Sequence, residues 1–218
     1  MIPTNRYEAI WSNNLNNYHR NMALIAMLFL TLLLSSISSQ ENQANMTVQL
    51  LTSPQGRGAL WHRKLTVSLT MAALVWLLVY GTELIQATKF YRKIGWLAAS
   101  MNSLEFFRSW SWNGSLGAAL VLYYGLKLMS ICTVAQVCML LSELSQKNQS
   151  AILLCTGVLL ILAALAAIGS DAAAMVSLLM PVATVENFHQ AWPFLLTTLV
   201  GAGTSALSWY LWVKRYRS

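Results

Sequence analysis

Two side chains stand where a charge is hard to accommodate: Glu83 and Lys127 each interrupt an apolar run long enough to cross a bilayer. An ionised group inside hydrocarbon is costly unless it is solvated or partnered, so each invites a functional reading. Glu83 lies near the far end of its run, six residues before Lys89, which also suits an acid at the membrane surface. Lys127 has three readings: it lines a polar pathway, it snorkels, or it pairs with a neighbouring helix. It is not assigned to substrate. Neither residue belongs to a catalytic pattern, because the chain has no Gly-x-Ser-x-Gly, no His-Glu-x-x-His and no intramembrane pair of carboxylates. A Gly-x-x-x-x-Gly-Lys-Ser/Thr loop is also missing, so the chain is not expected to hydrolyse ATP by itself. Cys132, Cys138 and Cys155 fall inside apolar runs without metal-ligand spacing and read as small core residues. His19, His62 and His189 lie far apart beside the predicted spans, and no metal site is expected.

A different chemistry, that of contact surfaces, is concentrated between Glu41 and Lys64, in ENQANMTVQLLTSPQGRGALWHRK. Met46, Leu50 and Leu51 recur at helical spacing, so a short helix with one apolar stripe is predicted, on the membrane surface or against a partner protein. Ser53-Pro54-Gln55-Gly56 ends it, since proline presets a turn angle and glycine tolerates the exit. A second short segment carries Leu60 and Trp61 beside Arg57, Arg63 and Lys64, the make-up of an interfacial helix with its cations in water and its indole among the headgroups. The plain alternative is an ordinary polar loop between two membrane helices, which also tends to hold a turn, cations and a tryptophan.

The elements that must position these residues follow from composition and periodicity. With 56% hydrophobic and 10% charged residues, the 218-residue chain lies far from the roughly one-quarter charged content of soluble domains and reads as an all-α integral membrane protein. Its net charge of +7 comes from small groups of Lys and Arg beside apolar spans, forming no stripe for nucleic acid; anionic lipid headgroups explain them better.

Residues 1–20 form a polar lead-in, where Tyr7, Trp11, Leu15 and Tyr18 at helical spacing predict an interfacial helix, with an irregular segment as the alternative. About five spans follow. The first runs from Met22 to Ser39; a secretory signal peptide is the competing reading, opposed by the long polar lead-in. The second runs from Leu65 to about Thr88. Residues 89–113 read as an aromatic surface loop with interfacial helices. A third span extends from near Ser115 to Ser142, and Glu143 to Ser150 forms a polar turn of a helical hairpin into the fourth. The 171–189 stretch, stopped by Pro181, is too short to span and suits a re-entrant or interfacial element. The last span, about Ala191 to Val213, ends in Lys214, Arg215 and Arg217.

The order Glu41, Met46, Leu50-Leu51, Ser53, Gly56-Arg57, Leu60, Lys64 resembles the first cytoplasmic loop of bacterial type-2 ABC exporter permeases. In that family the segment follows a membrane helix, opens with a glutamate, passes a Gly-Met pair to a leucine-rich helix, and reaches Gly-Arg before the lysine that opens the next span. This chain departs at Asn45, where the pattern usually has glycine, which puts the start of the helix in question. The likeness extends loosely over the succession of spans, but only this loop is motif-like.

The resemblance implies a single permease domain over 1–218 in a bacterial plasma membrane, with its N-terminus outside and C-terminus inside. Family members commonly have six spans, so this chain is similar to that unit without its first helix. The implied partners are a separate ABC ATPase, a second permease chain as homo- or heterodimer, and membrane lipid. No cofactor is expected on this chain; ATP and Mg belong to the ATPase. Glu41, Met46, Leu50, Leu51, Gly56, Arg57, Leu60 and Trp61 are the expected ATPase-coupling residues. Peptides, drugs and lipids all fit as cargo. The competing function is a non-transporting membrane interaction or assembly protein; an intramembrane enzyme lacks the paired groups it would need.

Overall fold

The computed structural model of the chain describes residues 13–44, 59–92, 96–100, 102, 114–145, 147–168, 172 and 192–217. They fold into α1 (Asn13–Leu34), α2 (Ser36–Gln43), α3 (Ala59–Arg92), a 3-10 turn (Trp96–Ala98), α4 (Leu116–Leu144), α5 (Asn148–Ala167) and α6 (Trp192–Arg217). Five stretches are long and apolar enough to cross a membrane: Asn21–Glu41, Ala59–Ile85, Leu116–Leu144, Asn148–Ala167 and Phe194–Lys214. The chain is thus an all-α protein of membrane-spanning character, as its apolar runs require.

Local chemistry sets the breaks. Ser35 separates α1 from α2 within a serine-rich stretch whose hydroxyls bond back to the preceding turn: Ser36 Oγ to Leu33 O, and Ser39 Oγ to Ser35 O. Such side-chain bonds compete with the helix ladder and bend it. Ser115 caps α4 from an extended conformation, its Oγ accepting from the Ala118 N–H at 3.2 Å. At the other end Ser145 leaves the helix, and a short link to Lys147 starts α5 antiparallel to α4.

The helix α4 is the centre of the bundle. It packs against α1, α2, α3, α5, α6 and the 3-10 turn, and 61% of its apolar window is buried against 17% for α5 and α6. Its side chains Leu120, Leu126, Ile131 and Val134 meet Leu30 and Leu34 of α1 and Ala72 and Val75 of α3 in one core. The outer surface is apolar as well: Leu28, Leu32, Leu78, Leu153 and Leu199 are exposed, while Lys64, Lys127, Ser130, Ser142 and Glu143 are buried. That inversion is what lipid as solvent favours, because inward polar groups find partners only inside the protein. Alternation of the spans places three segments at one end of the bundle: α2 with the start of α3, the α4–α5 link, and the end of α6.

Three sequence expectations change in detail. Leu60 to Lys64 are not a separate interfacial helix but the first turns of α3, because no proline or glycine separates them from the apolar run that follows. Lys64 is 5% exposed rather than in water, since an acid and a hydroxyl meet it inside, and Trp61 is buried rather than at a headgroup surface. Glu143, expected to open a polar turn, belongs to the last turn of α4 and is buried. Residues 13–20 of the lead-in continue directly into the first span within α1. Residues 1–12, most of the 89–113 aromatic loop, and the 171–189 element apart from Ala172 lie outside the described residues.

Candidate functional site

Two buried polar centres lie on opposite halves of α4. The first gathers at the end of the bundle that carries the 41–64 segment. Lys64, one helical turn after Trp61 on the inner side of α3, forms an ion pair with Glu41 at the end of α2 and donates to Ser38 Oγ at 3.2 Å. Its ammonium also sits 4.8 Å from the centre of the Trp212 ring on α6. Glu41 is the more solvated partner, with its side chain 25% exposed. Each charge is compensated, which buried ions require.

Beside the pair, the Trp61 indole N–H donates to Ser208 Oγ at 3.0 Å, and Ser208 donates to Glu143 Oε2 at 2.7 Å. Trp61 packs with Met139 and Trp212, with Leu60 against the cluster, and meets the Trp209 ring edge-on at 5.1 Å. A third set of bonds ties in the α1–α2 break. Ser142 Oγ donates to Ser35 O at 2.7 Å and accepts from the N–H groups of Ser38 and Ser39 at 3.2 Å each. These amides are in the first turn of α2, where intrahelical acceptors are lacking, so a side chain of α4 caps a different helix. Ser39 Oγ reaches Asn148 Oδ1 at 3.2 Å and extends the junction to α5.

Among the described residues no cluster of His, Cys, Asp and Glu could hold a metal. What the arrangement does is fasten both flanks of the 41–64 segment to every span. Of the expected coupling residues, Glu41, Leu60 and Trp61 are brought together here, whereas Met46, Leu50, Leu51, Gly56 and Arg57 lie outside the described residues.

The second centre is on the far half of α4. Lys127 is 4% exposed and holds its ammonium 4.4 Å from the ring centres of both Tyr80 and Tyr123 and 5.4 Å from that of Tyr124. The carboxylate of Glu83, one turn beyond Tyr80 on α3, acts electrostatically on Lys127 and on both Tyr80 and Tyr123. Lys127 therefore pairs with a neighbouring helix and does not snorkel; ring quadrupoles and an acid replace its water. Trp76 Nε1 donates to Tyr124 O at 3.2 Å and closes the same α3–α4 contact.

The sequence reading did not connect Ser208, Glu143, Ser142 and Trp212 to the site. Their partners are far along the chain, and only the adjacency of Ser142 and Glu143 at the end of an apolar run hints at a polar junction. Tyr123 and Tyr124, four and three residues before Lys127, do give a local signal, because such spacings share a helix face. The cysteines keep their expected role: all three are free, and Cys155 Sγ donates to Cys138 O at 3.7 Å inside the α4–α5 hairpin.

Comparison with protein families, curated proteins and solved structures gives no match for the chain.

Proposed function

We propose that this protein is the membrane-spanning permease subunit of an ATP-driven ABC exporter, acted on by a separate ATPase that docks on the 41–64 segment. The observation that carries the reading is the junction at that segment's flanks, where Glu41 and Lys64 pair across it and Trp61 connects through Ser208 to Glu143. A loop fastened in this way passes a push to α2, α3, α4 and α6 together, which coupling between an outside motor and a set of spans needs. The motif-like order from Glu41 to Lys64 supplies the family likeness. In this reading ATP and Mg stay on the ATPase, this chain performs no chemistry of its own, and a second permease chain completes the transport unit. The membrane is a bacterial plasma membrane, with the 41–64 segment on its inner side.

The test introduces Leu50→Asp and Gly56→Pro and compares them with wild type at matched membrane levels. Buried leucines at an interface centre are worth roughly 1 kcal/mol or more each, so both changes weaken co-purification of the ATPase and abolish transport-coupled hydrolysis while the chain stays in the membrane. Undiminished binding and hydrolysis in both variants reject the assignment and favour a non-transporting membrane protein.

A further inference from the structure

The sequence from Asn13 to Gln43 contains no proline and no glycine, yet its helix breaks at Ser35. A break of this kind arises where a side chain or a water is inserted into the ladder of backbone bonds. The inserted group here is the Ser142 hydroxyl of α4. In an unbroken helix the Ser39 N–H would bond to Ser35 O, four residues back. Instead Ser142 Oγ stands between them, donating to Ser35 O at 2.7 Å and accepting from the Ser39 N–H at 3.2 Å. It accepts from the Ser38 N–H at 3.2 Å as well. Ladder bonds run on either side of the insertion, from Ser35 N–H to Thr31 O at 3.1 Å and from Ala44 N–H to Gln40 O at 3.0 Å.

Two arrangements satisfy the same groups. Inserted, the hydroxyl serves Ser35 O and the two amides. Withdrawn, it leaves the Ser39 N–H to close on Ser35 O, while Ser142 bonds back to a carbonyl of its own preceding turn, as serines within helices do. Apolar burial does not decide between them, because Ile37 is the one apolar residue among the eight of α2 and is only partly buried. Polar ties hold α2 in place instead. Besides Ser142 they are the Lys64–Glu41 pair, Lys64 Nζ to Ser38 Oγ at 3.2 Å, and Ser39 Oγ to Asn148 Oδ1 at 3.2 Å. Glu41, near the end of α2, is 25% exposed, so water is at hand to replace its partner.

We infer that the α1–α2 break is a two-position hinge, with the Ser142 hydroxyl as its wedge and Lys64 as its lock. Wedged and locked, α2 lies against α4 and α5. With both released, residues 13–43 run as one helix and Glu41 is carried away from Lys64, so the flank from which the 41–64 segment departs takes a second direction. Either hold alone keeps α2 in place. Without the hydroxyl, Lys64 still grips Ser38 and Glu41, which leaves two amides of α2 unmet; without Lys64, the wedge still blocks the ladder. The hinge is a property of this chain and does not depend on what docks on that segment.

The experiment uses the full-length chain in lipid bilayers without any ATPase, so its outcome is separate from that of the docking test. The native cysteines are replaced by alanine, and nitroxide labels are attached through Leu28→Cys on the outer face of α1 and Gln43→Cys at the exposed end of α2. Their separation is read by double electron-electron resonance. A continuous helix sets the two backbone positions about 22 Å apart, and a bend shortens that distance. The parent, Ser142→Ala and Lys64→Met are each expected to keep the short distance. Ser142→Ala combined with Lys64→Met is expected to lengthen it by several Å, toward the continuous-helix value. A second label pair, Leu28→Cys with Leu153→Cys on α5, checks that the bundle is intact. Where Lys64→Met loosens the bundle, Ser142→Ala with Ser38→Ala and Glu41→Gln, which leaves the ammonium beside Trp212, decides by the same criterion. A combined variant at the parent distance overturns the inference. So does full lengthening in either single variant, since one of the two holds would then be idle.

Discussion

Removing the Lys64 ammonium while keeping its bulk, as Lys64→Met, tests the junction at a buried charge. Deleting one partner of a buried ion pair costs roughly 3–5 kcal/mol because the other is left uncompensated. Here Glu41 is 25% exposed and water reaches it, which lowers the penalty. The loss of the ammonium from beside the Trp212 ring and from Ser38 Oγ raises it again, the cation–π part by about 1 kcal/mol. The sum is about 3 kcal/mol for Lys64→Met. Glu41→Gln should cost less, about 1 kcal/mol, since Lys64 keeps Ser38 and Trp212 as partners. The double variant should then be less damaged than the two losses added, with a coupling of about 1–2 kcal/mol, because neither charge remains to be stranded. The assay is unfolding of the purified protein by sodium dodecyl sulfate in mixed micelles, followed by tryptophan fluorescence. Additivity to within about 0.5 kcal/mol would refute the pairing as an energetic link.

Three other outcomes follow from single features. Ser142→Ala removes the acceptor for two first-turn amides of α2 and should destabilise the bundle by about 1–2 kcal/mol in the same titration, with hydrogen exchange rising at Ser38 and Ser39. Lys127→Met should be destabilising because the buried carboxylate of Glu83 loses its counter-charge, and Lys127→Met with Glu83→Gln should recover much of the loss; a double variant as unstable as the sum of the singles contradicts the placement. Gly201→Ala should be tolerated to about 0.5 kcal/mol, because the atom a methyl meets is the mobile end of Gln136, whereas Gly201→Leu should separate α6 from α4 at a cost of about 1–3 kcal/mol. Equal stability of the two Gly201 variants would show that the helices do not approach as closely as described.

Most of the fold was legible because the bilayer imposes a simple rule: uninterrupted apolar runs of spanning length become helices, and the short link after Leu144 forces a hairpin. Where one helix begins was less legible. The cations Arg63 and Lys64 look like water-facing residues by type, yet only Arg63 is exposed; an acid 23 residues earlier draws Lys64 inside. The same limit applies to the site. Trp61 could be singled out from its segment, but its partner Ser208 lies 147 positions away and Ser208's own partner Glu143 another 65, separations that no local period encodes. Lys127 announced itself as a charge in a span. That it would rest on Tyr80 as well as on its own neighbours Tyr123 and Tyr124 depended on how α3 crosses α4.

The most direct measurement of the coupling assignment places a photo-activated benzoylphenylalanine at Leu50 in the native cell and identifies what it captures by mass spectrometry. The account predicts a cross-linked polypeptide that contains a Gly-x-x-x-x-Gly-Lys-Ser/Thr nucleotide-binding loop, with capture lost on introducing Gly56→Pro. Adducts confined to lipid, or to a protein without such a loop, would contradict it.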